Sequence, residues 1–163
     1  MTQNRIPSSV PLSIELLFNN EKLELMKVLC LMYAFSLQSK KRRKLSETLF
    51  YYCLVNFNLL KLFEANDEEL RNCLAPSPNL YFRFQKKING ILINMLKVQF
   101  IDVKGDISNK LEDITVLITP IGKEFYQKQN SEFFLKLQEK YTNAFEKVSF
   151  STNNIKVLKG VPQ

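Results

Sequence analysis

The sequence predicts an α+β domain that is mostly α, and one stretch carries the three observations behind that expectation. Across residues 80–95 the apolar side chains Leu80, Phe84, Ile88, Ile91, Leu92 and Met95 recur every three or four positions, so they share one face of a helix. Residues 98–103 and 114–119 are rich in β-branched and aromatic side chains, and the polar residues 104–113 between them include Gly105, which reads as two strands around a loose tip. Thr119-Pro120 then supplies a cap and a first-turn proline for another helix.

Helix, strand, loop, strand, helix in this order is the grammar of a winged helix with a two-stranded wing and a long C-terminal helix. The run Thr119-Pro120-Ile121-Gly122-Lys123 resembles the end of the wing in many winged-helix proteins. A generic α+β domain with one hairpin is the alternative. With 163 residues, 45% of them hydrophobic and only four Gly and six Pro, the chain is long enough for a real core. We expect a single winged-helix-like domain over residues 14–148, a flexible tail over 1–13 and a C-terminal tail over 149–163.

In chain order, residues 1–13 are polar and contain Pro7 and Pro11, as a loosely held tail would. Leu12, Ile14, Leu16, Leu17 and Phe18 form an apolar patch that reads either as a short strand or as a docking segment. Asn19 or Asn20 can cap a first helix, with Glu21 and Glu24 well placed in its first turn. Its middle, residues 28–35, is apolar on every side and needs cover all round, from the centre of the domain or from another chain.

The run Lys40-Lys41-Arg42-Arg43-Lys44 reads as a solvated connector, a favourable helix end or a phosphate-binding element. A second helix over residues 45–62 puts Leu49, Phe50, Cys53, Leu54, Phe57 and Leu60 on one side and adds Tyr51 and Tyr52 beside them, more apolar surface than one face requires. Phe50, Tyr51 and Tyr52 are therefore candidate partner contacts, although the tyrosines could equally roof the core. An acidic stretch over 64–69 suits a short helix ending near Leu74, and Ala75-Pro76-Ser77-Pro78 stops it and starts the basic helix. That insertion exceeds a compact helix-turn-helix connection.

Beyond the hairpin, Ile121 and Phe125 are followed by Phe134, Leu137, Tyr141, Phe145 and Val148 at a three-and-four spacing. Phe134, Leu137 and Tyr141 join the candidate partner contacts. The polar residues 127–130 leave open whether 120–148 is one helix or two. Residues 151–163 look frayed, with Ile155, Val157 and Leu158 as a short strand.

Chemistry has little to work with. There is no His, which excludes Ser–His and Cys–His pairs, and the four glycines are isolated, so nothing cradles a phosphate. Asp102, Asp106, Glu112 and Asp113 gather at the hairpin tip, where charges are ordinarily just solvated. Cys30, Cys53 and Cys73 are far apart, lie in or beside apolar runs and read as small buried hydrophobes of a reducing cytoplasm. We expect no catalytic residue, no metal and no cofactor. The longest charge-free run, residues 48–60, falls short of the roughly 20 residues a bilayer-crossing helix needs.

The formal charge of +7 is unevenly placed. Residues 77–111 hold six Lys/Arg against two acids, and residues 1–47 hold eight against four. The candidate nucleic-acid contacts are Lys40, Lys41, Arg42, Arg43, Lys44, Arg83, Lys86, Lys87, Lys97, Lys104 and Lys110, with Asn94 on the same helix face. One function consistent with this is a winged-helix transcriptional regulator that lays its basic helix in a groove of double-stranded DNA.

The aromatic helix reading Leu49-Phe50-Tyr51-Tyr52-Cys53-Leu54-Val55-Asn56, the short length and the wing-like second half together resemble the small middle components of bacterial three-component ABC systems, the C subunits of Lamassu-type defence, over about residues 21–126. The resemblance implies a non-catalytic accessory subunit that docks on a coiled-coil ATPase of the structural-maintenance-of-chromosomes (SMC) type, while a separate effector subunit acts. It implies DNA contact through the complex, no membrane and no catalytic residue. Room for only one wing departs from the two-winged accessory subunits of condensin-like complexes.

Overall fold

The apolar run in the first helix organises everything packed around it. In the computed structural model, which describes residues 20–64, 69, 78–105, 113–129 and 131–160, helix α1 (Asn20–Gln38) buries Val28, Leu29, Cys30, Leu31, Met32, Ala34 and Phe35. The chain then gives strand β1 (Arg43–Lys44), helices α2 (Leu45–Asn56), α3 (Leu60–Glu64) and α4 (Pro78–Lys97), strands β2 (Ile101–Lys104) and β3 (Thr115–Ile118), and helices α5 (Pro120–Lys128), α6 (Glu132–Lys147) and α7 (Thr152–Leu158). Helix α1 packs against α2, α4, α5, α6 and β3, so its all-round cover is the domain itself.

The fold is mostly helical with one small antiparallel sheet in the order β1-β3-β2. The expected hairpin is present, with Ile101 opposite Ile118 and Val103 opposite Val116. Its β3 strand alternates as the sequence suggests, burying Val116 and Ile118. The hairpin is not two strands alone: Arg43 and Lys44 add an edge strand opposite Val116 and Thr115, and Leu45 N–H donates to Ile114 O at 2.8 Å.

The first β-rich run is shorter than its composition suggests. Helix α4 continues to Lys97, and Gln99 takes a left-handed backbone (φ +61°) before the strand begins at Ile101. That turn is clasped by the next helix start. Thr119 N–H donates to Phe100 O at 2.9 Å, Thr119 Oγ1 donates to Gln99 O at 2.6 Å, and the same oxygen accepts from Gly122 N–H at 3.0 Å as the cap of α5. Gly122 is required there, because a Cβ would collide with the Phe100 carbonyl oxygen.

Two further expectations are corrected and one open question is answered. Helix 45–62 breaks at Phe57-Asn58, where Asn58 has φ +55°, a conformation Asn tolerates. The question left open over residues 120–148 is answered as two helices: α5 ends before Gln129, and Ser131 sits in extended backbone as the residue before α6. The polar residues between offer no apolar face to hold a continuous rod against the core. Residues 152–158 are neither frayed nor a strand, because Ser151 Oγ caps α7 by accepting from Asn154 N–H at 3.2 Å and Leu158 is buried in the core. The short acidic helix ending near Leu74, the N-terminal patch and Cys73 lie outside the described residues.

The surplus aromatics of α2 are packed inside. Phe50, Tyr51 and Tyr52 are at most 5% exposed, as α1, α4, α6 and α7 close over the helix. Tyr52 stacks on Phe84 with ring centroids 4.0 Å apart, and Tyr51 Oη donates to Val148 O at 2.8 Å. Tyr141 is fully buried with its hydroxyl satisfied, accepting from Asn56 Nδ2 at 2.8 Å and donating to Lys27 O at 3.0 Å. A tyrosine whose hydroxyl finds a carbonyl costs the core little.

Candidate nucleic-acid interface

Helix α4 is clearly two-sided. Tyr81, Phe84, Ile88, Ile91, Leu92 and Met95 are buried against α1, α2 and β2, which fixes the rotation of the helix. Arg83, Lys86, Lys87, Gly90, Ile93, Asn94 and Lys97 are left exposed along the outer side. Lys87 Nζ reaches Glu24 Oε1 of α1 at 3.4 Å, while Arg83, Lys86 and Lys97 make no ion pair among the described residues. Lys104, exposed at the end of β2, extends the positive surface onto the hairpin, and Lys110 lies outside the described residues.

The five-residue basic run divides. Lys40, Lys41 and Lys44 are exposed, but Arg42 and Arg43 are not spare cations. Arg42 Nη1 pairs with Asp102 Oδ2 at 2.7 Å, its Nη2 donates to Asp102 O at 3.1 Å and its Nε to Thr115 Oγ1 at 3.2 Å, so it fastens the run across the sheet. Arg43 Nη1 pairs with Glu47 Oε1 at 2.7 Å while its guanidinium lies 4.8 Å from the centre of the Phe35 ring. Both guanidiniums therefore brace β1, Arg42 through Asp102 on β2 and Arg43 through Glu47 on α2.

The candidate partner contacts sit deeper than a docking surface requires: Phe50, Tyr51, Tyr52, Leu137 and Tyr141 are buried, and Phe134 is half-buried. The exposed large apolar residues are others, notably Phe82, Ile93 and Val98 on or just after α4, Ile121 and Phe125 on α5, and Phe133 and Leu135 on α6. The signal for the last pair was in the spacing: a seam through Phe134, Leu137 and Tyr141 necessarily turns Phe133 and Leu135 outward.

A cavity of about 210 Å³ opens where α5 meets α6, lined by Tyr33, Tyr126, Gln127, Ser131, Phe134 and Gln138 among others. Tyr126 Oη lies 3.2 Å from Cys30 Sγ, 3.0 Å from Gln138 Oε1 and 3.3 Å from Phe134 O. Burial pushes the Cys30 thiol up to about 12, against a smaller lowering from Tyr126, and burial pushes Cys53 and Tyr126 higher still. A thiol so hard to ionise is no nucleophile at neutral pH. Among the described residues no three His, Cys, Asp or Glu side chains group as a metal site, and no helix is long and apolar enough to cross a membrane.

No protein-family model, no curated protein and no solved structure matches this chain.

Proposed function

We propose that this chain is a non-catalytic winged-helix subunit that contacts duplex DNA through the outer side of α4 and the β2–β3 hairpin. The single observation that carries this reading is the exposed cationic stripe Arg83-Lys86-Lys87-Lys97, held outward by a fully packed opposite face and continued onto the hairpin by Lys104. The element order supports the winged helix: a helix, a short strand, further helices ending in the basic one, and a hairpin, with the early strand pairing beside β3 in the order β1-β3-β2.

Within that reading, the chain serves as the accessory subunit of an SMC-like ABC ATPase assembly with a separate effector, of the kind the Lamassu resemblance implies, in the cytoplasm where buried thiols stay reduced. The exposed apolar residues Ile121, Phe125, Phe133 and Leu135 favour a protein partner in addition to DNA, and they replace the buried rings of α2 as its contacts. The alternative, a self-sufficient transcriptional regulator, is favoured by the closure of the core over those rings.

Titrating the purified chain against several unrelated duplexes at two or more salt concentrations tests the reading. The expected result is binding of similar strength to every sequence, with log affinity falling linearly in log salt. A preference of about a thousandfold or more for one sequence would favour the regulator. No binding to any duplex would overturn the DNA reading.

A further inference from the structure

A glycine inside a long helix loses backbone entropy and contributes no packing, a cost that a need for its missing side chain would offset. Gly105 and Gly122 have such reasons within the fold, a left-handed backbone in one and a carbonyl too close for a Cβ in the other. Gly90 has none. It lies near the middle of α4, its backbone is not left-handed, it is exposed, and a Cβ placed on it meets nothing within 4 Å.

Its surroundings are the second observation. The helix neighbours of Gly90 are Lys86 and Lys87 one turn before and Ile93 and Asn94 one turn after, with Arg83 and Lys97 beyond them, and all six are exposed. Gly90 is thus the floor of a shallow notch whose walls carry most of the helix's positive charge. That charge selects a polyanion over an apolar protein surface.

We propose that Gly90 is the point at which the sugar–phosphate backbone of a bound DNA duplex comes closest to α4, an inference that rests on the DNA reading above. With no side chain in the way, the strand settles against the helix itself. Lys86 and Lys97 then reach phosphates on either side, Asn94 donates to a phosphate oxygen, and Ile93 packs on deoxyribose. A contact of this kind reads the backbone and tolerates any sequence.

The test compares wild type, Gly90→Ala and Lys86→Gln for thermal midpoint and for binding to one fluorescent duplex across a salt series. Gly90→Ala is expected to raise the midpoint of the free protein by about 1–4 °C, since alanine is the better helix former at an open site. The same change is expected to weaken DNA binding by about tenfold and to lower the salt slope by about one phosphate contact. Lys86→Gln should lower the slope and leave the midpoint unchanged. If Lys86→Gln weakens binding and Gly90→Ala does not, the close approach at Gly90 is overturned and the DNA reading stands. If Gly90→Ala lowers the midpoint, the glycine serves the fold and the inference is likewise overturned. If wild type binds no duplex, the underlying reading fails first.

Discussion

Helices α2 and α4 both look from the sequence like surfaces made for a partner, and only α4 keeps the side chains in question in solvent. Helix α2 carries Phe50, Tyr51 and Tyr52, and every one of these rings is inside. Helix α4 carries Arg83, Lys86, Lys87 and Lys97, and every one of these charges is outside. An apolar surplus can be absorbed wherever the chain has another element to lay over it, as α6 and α7 do for α2. A surplus of like charge has no such refuge, because burying an unpaired cation costs far more than any packing returns. The basic run 40–44 is the intermediate case: Arg42 and Arg43 found carboxylates and were built into the sheet, and their lysine neighbours stayed in water.

The sharpest way to break this contrast is to charge the buried helix. Tyr52→Asp is expected to cost about 4 kcal/mol or more, enough to unfold the domain outright, because the new carboxylate would replace a ring stacked on Phe84. Urea unfolding followed by circular dichroism measures it. A folded Tyr52→Asp protein that merely lost a partner would restore α2 as an interface.

Alkaline titration probes the same interior without mutation. Burial holds Cys30 up to about 12 against a reference of 9.0, and burial together with Glu47 raises Tyr51 to about 12 against 10.0. A group whose folded value is raised binds its proton more tightly when folded. Its stabilisation is therefore complete below the reference value and drains away as pH rises through the window from 9 to 12. Cys30 alone is expected to remove on the order of 1 kcal/mol by pH 10. Cys30→Ala should flatten the pH 9–12 slope of the denaturation midpoint, and an unchanged slope would exclude that thiol as its source.

Arg42→Ala should cost about 1 kcal/mol, because its partner Asp102 is more than half exposed and the pair is screened. The loss should be shared by Asp102→Ala in a double-mutant cycle, and additive losses would mean the bridge contributes nothing. The smallest change in stability is expected on α4. Arg83→Glu with Lys97→Glu should move the urea midpoint by the equivalent of no more than about 0.5 kcal/mol while removing most DNA affinity. A large drop in stability there would mean that the stripe, like Arg42, belongs to the architecture.

Periodicity and local chemistry alone specified helix α4, the β3 alternation, the hairpin and the Thr119-Pro120 start of α5, and those were legible for a physical reason. Each depends on neighbours three, four or two positions away, or on a side chain capping its own helix. The exposure of the α4 lysines was legible too, since solvent is where a surplus of like charge stays.

Tertiary structure decided the rest. Whether Tyr51, Tyr52 and Tyr141 face out or in depended on Val148, Phe84, Asn56 and Lys27, far along the chain or on other helices, supplying rings and carbonyls at the right distance. Whether Arg42 was a ligand contact or a brace depended on Asp102 arriving opposite it, 60 residues later in sequence. Local sequence states what a residue prefers, and only the assembled neighbours determine whether that preference is satisfied inside the fold or left for something else to meet.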